Sequence, residues 1–161
     1  MNRPERDPWL MTIAHVVALR GTCPRLKVGA LLVRNGRILS IGYNGSVPGA
    51  PHCEDGGCHI VEDVCIRSVH SEVNCLAEAA RMGRETIDSI LVTTDAPCLN
   101  CAKLLVTAGV TGIYYHRPYH DPAGLELILE YGHPNVVTFA EQVDPIPWEF
   151  LERGLVDDYR E

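Results

Sequence analysis

The chain has 161 residues, of which 46% are hydrophobic and 22% charged, and its formal net charge is −7. That length can bury a continuous core, while the acidic balance argues against a protein that binds long nucleic acids, because such proteins usually carry a basic surface. No apolar run approaches the roughly 20 residues that span a bilayer, and the N-terminus lacks the features of a secretory signal. We therefore expect one cytoplasmic domain over residues 1–161, without membrane contact.

The N-terminal elements are predicted to be one helix followed by a β-hairpin. Apolar residues at helical spacing predict an amphipathic helix over residues 9–20. Two β-rich runs, 28–34 and 37–43, flank Asn35-Gly36, a dipeptide whose residues both accept the positive φ of a tight turn. These runs should pair as antiparallel strands.

A long polar segment follows the hairpin. Residues 44–66 are rich in Gly, Pro, Cys, His and acidic side chains and show little periodicity, and most of them form an insert loop over 46–66. Loops of this length in a compact domain are usually functional or cross-linked.

The second half of the chain alternates strands with helices. The predicted elements are a helix over 69–82, a strand over 89–94, a helix over 97–108, a strand over 110–116, a helix over 126–131 and an edge strand over 136–139. Strands that alternate with helices favour parallel pairing, so this order predicts an α/β fold. Residues 141–161 form an acidic tail that contains a segment typical of docking.

Two short motifs, each at the start of a predicted helix, point to a catalytic zinc. Cys98 and Cys101 lie three residues apart on one helical face, so both sulfurs can reach one ion, and His70 adds a nitrogen. Three protein ligands leave the fourth tetrahedral position open for water, which is typical of a catalytic zinc. Glu72 projects from another part of the helical turn and is a candidate general base and acid rather than a ligand.

The combination of these motifs is more specific than either motif alone. A Cys-x-x-Cys pair also occurs in redox and structural zinc sites, and an isolated His-x-Glu is most often a solvated helix start. Joined in this order, His-x-Glu and Pro-Cys-x-x-Cys form the signature of zinc nucleobase deaminases. The sequence therefore predicts hydrolytic removal of an amino group from a nucleobase.

Several stretches resemble the cytidine and deoxycytidylate deaminase superfamily, above all its deoxycytidylate deaminase branch of phage enzymes and bacterial late-competence-type proteins. The resemblance covers about residues 10–135, and its motifs are Val28-Gly29-Ala30, Gly42-Tyr43-Asn44-Gly45, His70-Ser71-Glu72-Val73-Asn74 and Pro97-Cys98-x-x-Cys101-Ala102-Lys103. It implies a three-layer α-β-α sandwich around a central five-stranded mixed sheet, often assembled as a homo-hexamer. It also implies conversion of dCMP to dUMP, which supplies thymidylate synthesis.

The resemblance assigns roles residue by residue. The zinc ligands of the family are matched by His70, Cys98 and Cys101. Glu72 matches the proton shuttle that protonates N3 while a zinc-bound hydroxide attacks C4 of cytosine. Asn44 matches an asparagine that contacts the sugar and the base edge. Ser71 stands where alanine is usual, and because its backbone N–H should still reach the base carbonyl, we expect this departure to have a small effect.

A second group of cysteines predicts a structural zinc. Its candidate ligands are Cys23, Cys53, Cys58 and Cys65, with His52 or His59 as substitutes for one of them. Four thiolates closing a tetrahedron would keep the polar loop ordered, and members of the resembled branch often carry a second zinc in these regions. The alternative is a set of reduced thiols without a metal. Cys75 lies within a predicted amphipathic helix and is expected to be a core residue.

Other candidate nucleotide contacts rest on position alone. Lys27 and Arg25, near the first strand, and Arg117, after the last core strand, are candidates for the phosphate. Tyr119 is a candidate for stacking on the base. Ordinary surface solvation or edge packing is the alternative for each of them. Relatives are commonly activated by dCTP, with Mg²⁺, and inhibited by dTTP. Candidate residues for such an allosteric nucleotide are Gly42, Tyr43, Gly45 and Arg81.

Two rival interpretations remain at this point. The first is a deaminase of another substrate, namely a 5-substituted dCMP, free cytidine or a tRNA adenosine, although the acidic charge argues against tRNA. The second is a non-catalytic interaction protein stabilised by zinc. Glu72 argues against the second interpretation, because a purely structural site needs the ligands but no proton shuttle.

Overall fold

A computed structural model describes residues 3–62, 64–131 and 139–147. Its helices are α1 (Arg6–Ala18), α2 (Cys53–Gly56), α3 (Ser71–Arg81), α4 (Leu99–Thr107) and α5 (Ala123–Tyr131). Its strands are β1 (Gly29–Arg34), β2 (Arg37–Tyr43), β3 (Gly45–Ser46), β4 (Ile60–Val61), β5 (Val64–Cys65), β6 (Ser68–Val69), β7 (Ser89–Asp95), β8 (Val110–Arg117) and β9 (Phe139–Gln142). No helix formed by these residues is long and apolar enough to cross a membrane.

The main sheet has five strands in the order β2-β1-β7-β8-β9. β1 is antiparallel to both β2 and β7, whereas β7, β8 and β9 run parallel to one another. The hairpin between β1 and β2 turns at Asn35 and Gly36, whose φ angles are 52° and 72°, as the Asn-Gly dipeptide predicts. The mixed five-stranded sheet expected from the resemblance is therefore confirmed.

Helices cover both faces of this sheet and complete the three layers. On one face α1 packs Leu10, Met11 and Ala14 against Leu31 and Val92. On the other face α3, α4 and α5 contribute a second buried cluster, which includes Cys75, Ala79, Leu105 and Ile128. Cys75 is fully buried there, as expected of a core residue. Apolar contacts on both faces fix the sheet between the helices, and they leave the strand and helix ends free to carry polar groups.

Helix boundaries differ from the predicted ones where a proline precedes or opens the helix. α1 begins at Arg6 rather than residue 9 and ends at Ala18 rather than residue 20, because Pro8 is tolerated in a first turn whose N–H groups need no helical partner. α5 begins at Ala123 rather than residue 126, and the Asp121 carboxylate accepts a hydrogen bond from the Ala123 N–H. An edge strand was predicted over 136–139, of which residues 136–138 lie outside the described residues. The observed strand β9, Phe139–Gln142, shares only residue 139 with that prediction and continues past it.

The insert loop contains more regular structure than its sequence predicts. β3 pairs with β6 on either side of it, and β4 and β5 form a small hairpin in which Ile60 faces Cys65. After β9 the chain follows α1, where the Ile146 N–H donates to the Thr12 hydroxyl at 2.8 Å. The rest of the predicted tail, residues 148–161, lies outside the described residues.

Candidate active site and metal centres

Two helix starts place the predicted catalytic ligands side by side. His70 immediately precedes α3 and Cys98 immediately precedes α4, and both residues have extended backbone angles. Such residues usually cap the helix with their side chains, but neither of these side chains makes a cap hydrogen bond. Both side chains therefore remain available to bind one metal ion, and Cys101 adds its thiol from the first turn of α4.

The three side chains are close enough to hold one metal ion. The Nδ1 atom of His70 lies 3.6 Å from the Cys98 Sγ and 3.4 Å from the Cys101 Sγ. Zinc–sulfur and zinc–nitrogen bonds at tetrahedral angles place such atoms about 3.6 Å apart. The donor set of one imidazole and two thiols fits zinc, and it leaves one coordination position open.

Electrostatics in this cluster favour a cation. A hydrogen bond from the Cys101 thiol, with a further one from His70, lowers the pKa of Cys98 to about 4 against the opposing effect of burial. The same contacts act in the opposite direction on the two partners. The hydrogen bond to Cys98 raises the pKa of His70, and the hydrogen bond to Cys98 also raises the pKa of Cys101. Cys98 is thus a thiolate at neutral pH, as expected at a helix N-terminus, and it is suited to a divalent ion.

Glu72 lies beside this cluster, and its carboxyl group is almost completely buried. Burial is the main cause that raises its pKa above the ordinary range of a carboxyl group. The Ser71 hydroxyl donates a hydrogen bond to Glu72 Oε2 at 2.8 Å. Sequence reasoning assigned Ser71 only a backbone contact and missed this bond, which no spacing pattern signals. A raised pKa is what a group that both accepts and donates protons near neutral pH requires.

Two glycines let the ligand-bearing elements approach each other closely. A Cβ atom on Gly42 of β2 would lie 2.2 Å from the Ser71 carbonyl oxygen, and one on Gly124 of α5 would lie 2.1 Å from the Pro97 carbonyl oxygen. Neither distance is possible for a larger residue without movement of the backbone. Gly42, predicted as an allosteric candidate, therefore has a packing role at the start of α3.

Asn44 directly follows β2, and its side-chain amide forms hydrogen bonds with backbone groups of the segment before β1. Its Nδ2 donates to the Leu26 carbonyl at 2.7 Å, and its Oδ1 accepts from the Val28 N–H at 2.9 Å. The neighbouring Tyr43 carbonyl accepts a hydrogen bond from Asn74 of α3 at 2.8 Å, a contact that sequence reasoning also missed. These bonds fix the segment before β1 relative to the helix that carries Glu72.

The remaining nucleotide candidates differ in their surroundings. Burial and then the charges of Cys98, Asp121 and Glu72 raise the pKa of Tyr119, so this half-buried side chain lies within electrostatic range of the catalytic cluster. Lys27 pairs with Glu54 of the insert loop at 3.4 Å. Arg117 is held by Asp95 through two hydrogen bonds of 2.9 and 2.7 Å, so its guanidinium already has a carboxylate partner.

Arg81 is not brought together with the other three allosteric candidates. It pairs with Glu78 at the C-terminal end of α3, whereas Gly45 pairs with Val69 just before the same helix. The ten residues from the start of the helix to Arg81 correspond to about 15 Å along its axis.

A second possible metal centre lies in the insert loop. The sulfurs of Cys53, Cys58 and Cys65 lie within 4.8 Å of one another, and those of Cys53 and Cys65 are 3.7 Å apart. Two thiolates on a tetrahedral zinc are separated by about 3.8 Å, so this set also fits zinc. Cys23 is buried and lies outside the group of three, although its charge contributes to the raised pKa of Cys58, which is due first to burial. His52 and His59, the predicted substitutes for one of the cysteines, do not belong to this group of described residues.

Thiol pKa values in this loop cluster are spread widely. Burial and hydrogen bonds with its neighbours raise the pKa of Cys53 to about 12. For Cys65, burial acts in the same direction, but backbone N–H donors from residues 67, 68 and 59 outweigh it and lower the pKa to about 7. Cys65 is therefore the first thiolate available to a metal in this loop.

Comparisons with known proteins agree with this geometry. The family model described as the cytidine and deoxycytidylate deaminase zinc-binding region matches residues 4–117. ComE operon protein 2 of Bacillus subtilis (strain 168) is 38% identical over 133 residues, which are 82% of this chain and 70% of that protein. The deoxycytidylate deaminase of Schizosaccharomyces pombe is 35% identical over 139 residues, which are 80% of this chain but only 42% of the yeast enzyme.

A solved structure extends the likeness to three dimensions. The dCMP deaminase from the cyanophage S-TIM5, crystallised in complex with dCMP and dUMP, superposes with a TM-score of 0.76 at 29% sequence identity. The alignment covers 89% of this chain and 100% of the phage chain.

Proposed function

Because the chain belongs to the cytidine and deoxycytidylate deaminase zinc-binding family, we propose that it hydrolyses dCMP to dUMP and ammonia. Membership makes the chain a zinc-binding deaminase, a hydrolase. The observation that carries the choice of reaction is the buried Glu72 carboxyl beside the cluster of His70, Cys98 and Cys101. The likeness to a phage enzyme crystallised with dCMP and dUMP supports this substrate. The product dUMP would supply thymidylate synthesis.

His70, Cys98 and Cys101 would hold the catalytic zinc, which supplies the Lewis acidity that activates water. Glu72 accepts a proton from that water and delivers it to N3 of the cytosine ring. Once the water oxygen has bonded to C4, Glu72 moves the remaining proton of that oxygen to the amino nitrogen. The C4–N bond then breaks, ammonia leaves and the oxygen stays as the carbonyl of dUMP, so the overall reaction consumes one water. Its burial keeps bulk water away from this proton transfer and supports both steps.

The proposal also assigns groups that would bind the nucleotide. We assign the Ser71 N–H to the base carbonyl, Tyr119 to the face of the base, and Asn44 to the sugar and the base edge. Lys27 faces the phosphate in this proposal, and its exposed ion pair with Glu54 is weak enough for a phosphate to replace it.

In the insert loop, Cys53, Cys58, Cys65 and Cys23 would hold a second, structural zinc. The first three already form a cluster of suitable size, and Cys23 is the nearby thiol that can complete a tetrahedron. Replacing Cys23 by serine should lower the zinc content from two to one per chain, or weaken retention of the second ion against a chelator. Cys75→Ser, a change in the core, should keep both ions.

The primary test is the ultraviolet absorbance change when purified protein meets dCMP, deoxycytidine, CMP or 5-methyl-dCMP, each with and without dCTP and Mg²⁺. Turnover of dCMP alone, or of both dCMP and 5-methyl-dCMP, supports the proposal and makes the phosphate a recognition element. Turnover of deoxycytidine alone transfers the function to free nucleosides. A zinc-loaded protein that is silent on all four compounds contradicts the proposal and leaves tRNA adenosine or a non-catalytic role.

Assembly and control complete the proposal. By analogy with the resembled branch, we propose a cytoplasmic homo-hexamer that responds to dCTP with Mg²⁺ and to dTTP. The effector would bind near Gly42, Tyr43 and Gly45, and Arg81 would belong to that site only through a neighbouring protomer. Sedimentation velocity with each nucleotide measures both the assembly and its response.

A further inference from the structure

The buried Ser71 donates a hydrogen bond to the neighbouring proton shuttle, Glu72. Ser71 is completely buried, and its hydroxyl donates to Glu72 Oε2 at 2.8 Å. A hydroxyl that donates to a carboxylate forms a charge-assisted hydrogen bond, which is about twice as strong as a neutral one.

The position of this serine on its helix explains why the bond is directed. α3 starts without a side-chain cap, because His70 points to the metal cluster instead. The Ser71 side chain, next to Glu72 in the first turn of α3, donates its hydroxyl to the Glu72 carboxylate instead of capping the helix.

Close packing prevents water from replacing that donor. The Ser71 carbonyl oxygen lies so close to β2 that a Cβ on Gly42 would be only 2.2 Å away, and the side chain has no exposed surface. Deleting the hydroxyl would leave a gap smaller than a water molecule requires. Glu72 Oε2 would then lose its partner without compensation.

We propose that the Ser71 hydroxyl is a positioning group that fixes one oxygen of Glu72, so that the other oxygen stays directed at the reacting water and the base. Ser71 touches neither substrate nor metal through this hydroxyl and acts only through Glu72. The inference rests on the proposed deaminase function for its kinetic consequence, but the contact itself is independent of the substrate.

The test compares Ser71→Ala with Ser40→Ala in the zinc-loaded full chain. Ser40 is a matched control, because it is also buried, faces the same helix and donates one hydrogen bond, to the Cys75 carbonyl at 2.9 Å. Ser71→Ala should lower kcat for dCMP about tenfold, which corresponds to about 1.4 kcal/mol of barrier, with KM and zinc content unchanged. Ser40→Ala should lower the Tm but leave kcat within about twofold of the original value.

Rescue and structure separate positioning from a general loss of stability. Ser71→Thr, which restores a hydroxyl, should recover most of the lost kcat if the folded protein accommodates the extra methyl group. Crystal structures of the zinc-loaded original and Ser71→Ala proteins should show the Glu72 carboxyl group rotated only in the variant. An unchanged kcat in an active enzyme, or an unmoved carboxyl group, overturns the inference. If the original protein does not turn over dCMP, the proposed function fails, while the two crystal structures still decide whether Ser71 orients Glu72.

Discussion

The two candidate metal centres of this chain are built on different supports. The cluster of His70, Cys98 and Cys101 stands on the starts of two helices that pack on the sheet, whereas Cys53, Cys58 and Cys65 stand in an insert of very short elements. The first cluster combines nitrogen with sulfur and has a buried carboxyl group beside it, but the second is formed from sulfur alone. This comparison indicates that a catalytic zinc site differs from a structural one in its number of protein ligands and in its neighbouring proton carrier. The metal itself is the same in both.

The largest expected effect separates chemistry from metal binding in the first centre. Glu72→Gln should lower kcat for dCMP by at least about a thousandfold, because it removes the proton carrier and preserves the size of the side chain. Zinc analysis should still find both ions. Glu78→Gln, which removes a carboxylate from the exposed side of the same helix, is the control and should leave kcat within about twofold. A Glu72→Gln protein with substantial turnover would contradict the mechanism.

The next largest effect should appear in the second centre as lost stability. Cys53→Ser should remove about one zinc per chain and lower the free energy of unfolding by about 3–5 kcal/mol, because the insert loses its cross-link. At a temperature where the variant remains folded, kcat should fall less than about threefold. Thermal unfolding with zinc analysis checks this expectation. Cys75→Ala, which deletes a core thiol, should destabilise without losing zinc; an equal zinc loss in both variants would refute the assignment.

Backbone support can be compared directly through one glycine from each region. Gly42→Ala places a methyl group against the Ser71 carbonyl and should lower kcat about a hundredfold, since an ångström of displacement at the shuttle is costly. Gly57→Ala in the insert meets no atom within 4 Å, but φ and ψ of 73° and 163° lie in a region that is essentially restricted to glycine, so it should cost about 1–3 kcal/mol of stability and little activity. Steady-state kinetics and thermal unfolding distinguish these outcomes. Equal loss of activity in both variants would mean that the insert positions the catalytic groups as strongly as the sheet does.

The smallest expected difference concerns acid sensitivity. A thiol whose pKa is raised holds a proton that must leave when zinc binds, so zinc affinity falls as the pH falls, roughly tenfold per pH unit for each proton displaced. In the insert, Cys53, with a pKa of about 12, Cys58 and, below its pKa of about 7, Cys65 hold such protons. In the first centre only Cys101 and His70, whose pKa values are raised, hold them, because Cys98, with a pKa of about 4, holds none near neutrality. Acidification from pH 8 to 5 in the presence of a colorimetric chelator should therefore release the insert zinc first. Cys53→Ser should lack this early phase, and release in the reverse order would refute the expectation.

Local patterns were sufficient to predict the main elements of the fold. Helical spacing, the Asn35-Gly36 turn and glycines after the helices located four strands of the sheet and the four longer helices, because these signals act within a few residues. The edge strand β9 was expected several residues too early. The resemblance supplied the three layers. Short pairings such as β3 with β6 and β4 with β5 were not predicted, since two-residue strands carry no measurable periodicity.

The candidate site was predictable where chemistry and spacing coincide, and less so where distant residues meet. The spacing of Cys98 and Cys101 indicated a shared ion directly. The pairing of Arg117 with Asp95, and that of Lys27 with Glu54, joins residues from separate elements, so the sequence left both cations as free candidates for phosphate. The hydroxyl contact of Ser71 with Glu72 is adjacent in sequence, but it depends on a side-chain rotamer that no pattern encodes.

The position of β1 inside the sheet, between β2 and β7, has a consequence for the order of assembly. β1 can pair with β2 as soon as the two-residue turn has formed, but its other neighbour is β7, where Val33 faces Ile90. During synthesis one edge of β1 therefore has to wait until the insert and α3 have emerged from the ribosome. A long intervening segment slows closure of such a pair, and an insert already folded around its own ion shortens that segment. The second metal centre would then influence how fast the sheet is completed as well as how stable it is.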